Sequence, residues 1–143
     1  MKSTVAVSVQ PVVDVTITWY NEGVLVPGQT SLTINSGYNY AYGIEFSPNN
    51  RFLYIHSYND ASGNALANFS ALTQFDITAP NIIASQVLLD ERNLFRGGLQ
   101  LGPNGKIYRA LSQSYSNGIP YLGVINNPNA AGTGADYQHF GVN

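Results

Sequence analysis

Cysteine is absent from all 143 residues, which removes disulfide frameworks, thiolate metal sites and thiol nucleophiles at once. Charge is nearly as scarce: charged side chains make up 10% of the chain, against roughly 25% in an ordinary globular protein. The six basic residues are scattered and the net charge is −2. No basic stripe exists to neutralise phosphates, so nucleic acid is not an expected partner. No apolar run approaches the ~18 residues of a membrane-spanning helix, so no membrane span is expected. The opening stretch from Met1 to Val9 has one Lys and a Ser-interrupted alternation, too short and polar for a signal peptide. Helical periodicity is missing throughout. An apolar fraction of 44% remains, enough to build a core and to argue against disorder. Solubility must come from Asn, Ser, Thr, Gln and Tyr, a mixture that suits strands and tight turns.

What the chain does contain is a repeat. Gly43-Ile44-Glu45-Phe46-Ser47-Pro48-Asn49-Asn50-Arg51 aligns with Gly98-Leu99-Gln100-Leu101-Gly102-Pro103-Asn104-Gly105-Lys106. After one gap at Phe52, Leu53-Tyr54 aligns with Ile107-Tyr108. Thr16 to Tyr20 falls over Leu72 to Asp76 at nearly the same spacing. Each unit opens with a short strand of alternating apolar residues. A turn follows in which Pro presets φ and Asn-Asn or Asn-Gly tolerates positive φ, and then a second apolar-rich strand. Third strands are expected at Leu72–Thr78 and Tyr121–Asn126, and a fourth at Ile82–Leu89.

Four antiparallel strands per unit is the pattern of a propeller blade. The fold class expected is all-β, a partial β-propeller of about two and a half four-stranded blades. Residues 1–36 hold the later strands of a first blade (Thr4–Val9, Val12–Tyr20, Val24–Ile34). Residues 43–89 form a second. Residues 98–143 form an incomplete third, with Asn127–Asn143 a Gly/Asn-rich tail of little strand pattern. A β-sandwich with similar hairpins is the alternative.

The stretch from Tyr42 to Tyr54 resembles the "YGxEFSPNGxxLY" blade opening of propeller domains in large secreted proteins of Bacteroidetes. Leu72-Thr73-Gln74-Phe75-Asp76-Ile77 is similar to their "LxQYDL" strand. Gly98 to Tyr108 resembles "LQLGPDGKIY", and Tyr121 to Asn129 resembles "YLxVINNPN". The resemblance covers about residues 13–130. It implies a secreted or cell-surface setting, often reached through the type IX secretion system, and brings no shared catalytic residues. Two departures stand out. Where the family commonly has a Cys after its Asn-Pro-Asn segment, this chain reads Ala135-Asp136-Tyr137. The chain also stops where a further strand and blade are expected, so it should be an excerpt or self-associate to complete a ring.

A search for chemistry returns little. His56 and His139 stand far apart without a zinc-binding spacing, His56 in a strand and His139 in the tail. No Gly-x-Ser-x-Gly elbow and no calcium loop occurs. Gly97-Gly98 lacks a dinucleotide-binding context and is expected only to admit the chain tightly into the next unit. Glu45 becomes Gln100 in the sister unit, as a polar structural position would. Asp76 is expected at a turn, and Asp90-Glu91-Arg92 in a solvated loop. No catalytic, metal or cofactor residues are assigned. Tyrosine is the one enrichment with a functional flavour, because rings at loop ends stack on sugars or anchor interfaces. Tyr58 and Tyr115, with Tyr38 and Tyr40, are the candidate ligand-binding residues, and filling between sheets is the competing role. The loop Asn59–Ser70 is the longest variable one and contains Asn68-Phe69-Ser70, a glycosylation sequon by pattern. The expected function is a non-enzymatic binding or scaffolding module of a secreted or surface protein that contacts protein or glycan. The alternative is part of a glycan-active hydrolase or lyase whose catalytic residues lie elsewhere.

Overall fold

Two hairpins that are alike in sequence fold alike. In the computed structural model, β5 (Tyr40–Phe46) and β6 (Phe52–Tyr58) pair with Phe46 opposite Leu53 and Ile44 opposite Ile55. β9 (Leu99–Leu101) and β10 (Ile107–Ser112) repeat that register with Leu101 opposite Ile107 and Leu99 opposite Arg109. Both turns place the same position in the left-handed region, Asn50 at φ 56° and Gly105 at φ 76°, where Asn and Gly are the residues most easily accommodated. The Ser47 hydroxyl accepts from the Phe52 amide at 2.8 Å and closes the first turn.

The structure describes residues 3–9, 14–21, 24–25, 32–35, 40–61 and 64–143; side chains are described at Thr18 and within 40–61 and 64–143. The chain is all-β. β5, β6, β7 (Ser70–Asp76) and β8 (Val87–Arg92) form one four-stranded antiparallel meander. β9, β10, β11 (Gly118–Ile125) and β12 (Tyr137–Val142) form another. Near the N-terminus β2 (Asp14–Asn21) pairs with β1 (Ser3–Val9) and with both β3 (Val24–Leu25) and β4 (Leu32–Asn35).

Three expectations need correction. The segment 127–143 is not without strand: β12 closes the second meander by pairing Val124 with Gln138 and Leu122 with Val142. The strand expected at Ile82–Leu89 starts later, because a 3₁₀ turn at Ile83–Ser85 is held by Ser85 Oγ donating to the Ile82 carbonyl at 2.6 Å. Asp90, Glu91 and Arg92 belong to β8 rather than to a solvated loop, and Asp90 is buried.

The two meanders pack face to face. Phe52, Tyr54 and Leu72 of the first meet Leu99, Ile107 and Ile125 of the second, with Ala135 closing the cluster. Leu53, Ile55 and Phe75 fill the opposite face of the first meander, so every residue of β6 is buried. The segment before β12 is tied back across the interface: Gln74 Nε2 donates to the Ala130 carbonyl at 2.8 Å, and Tyr54 Oη donates to the Pro128 carbonyl at 2.8 Å. The outward face of the second meander carries the paired Leu122 and Val142, both exposed.

Along their first strands, β5 and β9, the sheets nearly touch. A Cβ on Gly43 of β5 would lie 2.4 Å from the Gly97 carbonyl oxygen and 2.9 Å from the Leu99 amide nitrogen. Both obstacles are backbone and cannot rotate away. Gly43→Ala is therefore expected to cost about 1–3 kcal/mol, the range for overpacking. Urea unfolding against Gly98→Ala checks this, since a Cβ at Gly98 meets nothing within 4 Å; equal effects would refute the steric account.

Candidate functional site

Three connections converge at one end of the paired meanders: the loop after β6, the link from β8 to β9, and the turn from β10 to β11. Asparagines lash them together. Asn68 Nδ2 donates to the Gln113 carbonyl at 3.1 Å, and Asn93 Nδ2 donates to the Leu66 carbonyl at 2.6 Å and the Asn68 carbonyl at 2.7 Å. The Phe95 amide donates to the Ser112 carbonyl at 2.8 Å, and Ser112 Oγ returns a bond to the Arg96 carbonyl at 2.6 Å. These bonds fix the link residues Phe95 and Arg96 between the two loops.

Rings then gather around Arg96. Its guanidinium carbon lies 4.3 Å from the Tyr115 ring centre, 5.2 Å from Phe95, and 5.5 Å from both Tyr42 and Tyr58. Nε donates to Tyr58 Oη at 3.1 Å and Nη2 donates to Tyr115 Oη at 2.6 Å. Tyr58 and Phe95 are buried behind, in edge contact at 4.9 Å. Tyr115 and Tyr42 stand in front, 72% and 52% exposed. Tyr42 reaches the cluster because β5 bulges between Ala41 and Gly43, and a bulge re-aims a side chain. Two shallow hollows open here, both walled by Phe95 and Tyr115. One of about 550 Å³ is bordered by Asp60, Asn64 and Ser114, and one of about 490 Å³ by Tyr42, Arg96 and Ser116.

Behind the rings lies a buried polar bolt. Arg109 of β10 is fully buried and crosses to the first meander. Its Nε donates to His56 Nδ1 at 2.9 Å, Nη1 to Asp90 Oδ2 at 2.6 Å and to Tyr137 Oη at 2.9 Å, and Nη2 to Ser70 Oγ at 2.9 Å. His56 Nε2 donates in turn to the Phe95 carbonyl at 2.8 Å. With Nδ1 accepting and Nε2 donating, His56 is neutral; burial, and then the Arg109 charge, pull its pKa down to about 3. Burial pushes the Asp90 carboxyl up, but the bonds from Arg92 and Arg109 outweigh it and hold Asp90 below its ordinary value. Each titratable group in the bolt is engaged with protein partners, a structural arrangement.

Of the sequence candidates, the structure brings Tyr58 and Tyr115 to one cluster and sets Tyr40 beside it, 5.3 Å from Tyr58. Tyr58 serves as a buried backing and Tyr115 as the open platform. Tyr38 lies outside the described residues. The sequence reading missed Tyr42 as a site residue, Phe95 and Arg96; its one available signal was a basic residue beside an aromatic just before Gly97-Gly98. A Cβ on Gly97 would fall 2.5 Å from the Ala110 carbonyl oxygen and 2.8 Å from His56 Cε1, so this glycine lets the link lie flat on β10. The Asn68 sequon is pattern only: its side chain is buried, with Oδ1 accepting from the Ala61 amide at 3.1 Å. Glu45 is a structural link whose Oε2 accepts from the Leu101 amide of β9 at 2.7 Å. His139 sits within β12.

Fold and site together define an all-β protein of paired antiparallel meanders with an aromatic-arginine cluster at one loop end. Among the described residues, no group of three or more His, Asp or Glu is placed to hold a metal ion, and no helix is long and apolar enough to cross a membrane. No protein-family model matches the chain, and no curated protein or solved structure matches it.

Proposed function

We propose that this chain is a non-enzymatic binding module, part of a β-propeller in a secreted or cell-surface protein, which takes a protein or glycan ligand at the Arg96–Tyr115 loop end. The observation that carries this reading is a guanidinium clasped by four rings, two of them open to solvent, above adjoining hollows. Rigid exposed aromatics and arginine are the residues that dominate binding energy at interfaces. The blade reading is supported by the shared hairpin register and by the way the units stack. The outward face of β9–β12 (Tyr108, Ala110, Leu122) repeats by register the face of β5–β8 (Tyr54, His56, Leu72) that β9–β12 covers. A further unit, in the same polypeptide or a second copy, would cover it in the same way. The surface setting rests on the resemblance of the Gly98–Tyr108 and Tyr121–Asn129 segments.

Glycan and peptide arrays test the reading. Tyr115→Ala is expected to weaken binding by tenfold or more, about 1.4 kcal/mol, without changing the thermal midpoint. Tyr121→Ala, an exposed tyrosine of β11 beside Phe140, should bind as the parent does. Equal losses in the two variants would refute the loop-end assignment.

A further inference from the structure

Resting on that binding-module reading, we infer that the ligand is an acidic saccharide, whose anionic ring substituent pairs with Arg96 while a sugar ring lies against Tyr115 or Tyr42. Charge accounting is the first ground. Arg51 pairs with Asp76, and Arg92 and Arg109 pair with Asp90. Arg96 alone among the described arginines has no carboxylate partner among the described residues. Its bonds go to two phenol oxygens through Nε and Nη2, which leaves Nη1 without a hydrogen bond among the described residues. A guanidinium is a fixed fork of five donors suited to carboxylate and sulfate oxygens. Here the fork is held in place before any ligand arrives, so little ordering cost remains.

The surroundings select the rest of the ligand. Among the described residues no carboxylate borders the hollow that contains Arg96. Asp60 and Asn64 border the neighbouring hollow and can accept from and donate to sugar hydroxyls. Tyr115 walls both hollows, so a saccharide of two or more rings can keep an apolar ring face on it while its substituents reach each side. One uncompensated cation in a hollow whose other described walls are neutral fits an anion on a mostly neutral-polar scaffold. A polyphosphate would need several cations to neutralise it.

Titration calorimetry with the full chain tests this, using hexasaccharides of a uronic acid, of a sulfated galactan and of a neutral glucan. At least one anionic hexasaccharide is expected to bind about tenfold or more tightly than the neutral one, as befits a charge-assisted bond. Arg96→Gln should bring anionic binding to the neutral level, with an unchanged circular-dichroism spectrum as the fold control; Arg96→Lys should recover part of it. At neutral pH, carboxyl reduction of the uronate or desulfation of the galactan should bring that ligand to the neutral level, which identifies the group. Neutral binding as tight as anionic, or anionic binding indifferent to Arg96→Gln, overturns the inference; if Tyr115→Ala still abolishes binding, the module reading survives. An acidic peptide captured through Arg96 while every saccharide fails overturns the saccharide class alone. Silence across saccharides and peptides overturns both.

Discussion

Arg109→Met is expected to lower the unfolding free energy by about 3–5 kcal/mol, the cost of removing one partner from a buried ion pair. The loss exceeds that of an ordinary core substitution because the guanidinium serves four partners, His56, Asp90, Tyr137 and Ser70. Asp90 would keep Arg92 and so would not be left wholly unpaired. His56 Nδ1 and Ser70 Oγ would lose the Arg109 donor inside the interface. Arg109→Lys keeps the charge without the fork and should fall between Met and parent. Urea unfolding measures all three, and a cycle with Asp90→Asn should return a coupling of about 0.5–3 kcal/mol, as for residues in direct contact. A Met variant within 1 kcal/mol of the parent would show that the meanders hold together without the Arg109 bonds.

The bolt also marks where a sequence reading stops. Turn chemistry was legible because it is local: Pro-Asn-Asn and Pro-Asn-Gly dictate the positive φ found at Asn50 and Gly105. The hairpins were legible because a repeated alternation needs a repeated neighbour. β12 was not, since Tyr137-Gln138-His139-Phe140 has no strong alternation and becomes a strand only by pairing with β11. Asp90-Glu91-Arg92 read as solvated for the same reason. Charges are buried only when paired, and the residue that pairs Asp90 across the interface, Arg109, lies on the other meander. By register Arg109 corresponds to Ile55, so one unit places an aliphatic where its sister places a cation. Of the site, the tyrosines were visible as an enrichment, whereas Arg96 acquires meaning only when three distant loops meet around it.

Acid should loosen this fold well above the range of carboxylate titration. Unfolded, His56 takes up a proton near its ordinary 6.5; folded, it resists protonation down to about 3. Its contribution to stability is therefore complete above pH 6.5 and is lost as the pH falls toward 3. The slope approaches about 1.4 kcal/mol per pH unit once the unfolded histidine is charged. Asp90 acts lower: its depressed carboxyl contributes above its ordinary value of 3.8 and loses that contribution as the pH falls through its folded value. His139, lowered by burial and then by Arg92, acts in the same direction as His56 but is partly exposed, so solvent screens its share. Urea unfolding between pH 6.5 and 4.5 should show the decline, and His56→Gln should flatten it whatever its effect on stability at neutral pH. A flat parent profile, or a slope that survives in His56→Gln, would refute the assignment. His56 Nε2 also holds the Phe95 carbonyl, so ligand binding at the Arg96–Tyr115 cluster should fade along the same acid limb as the interface opens.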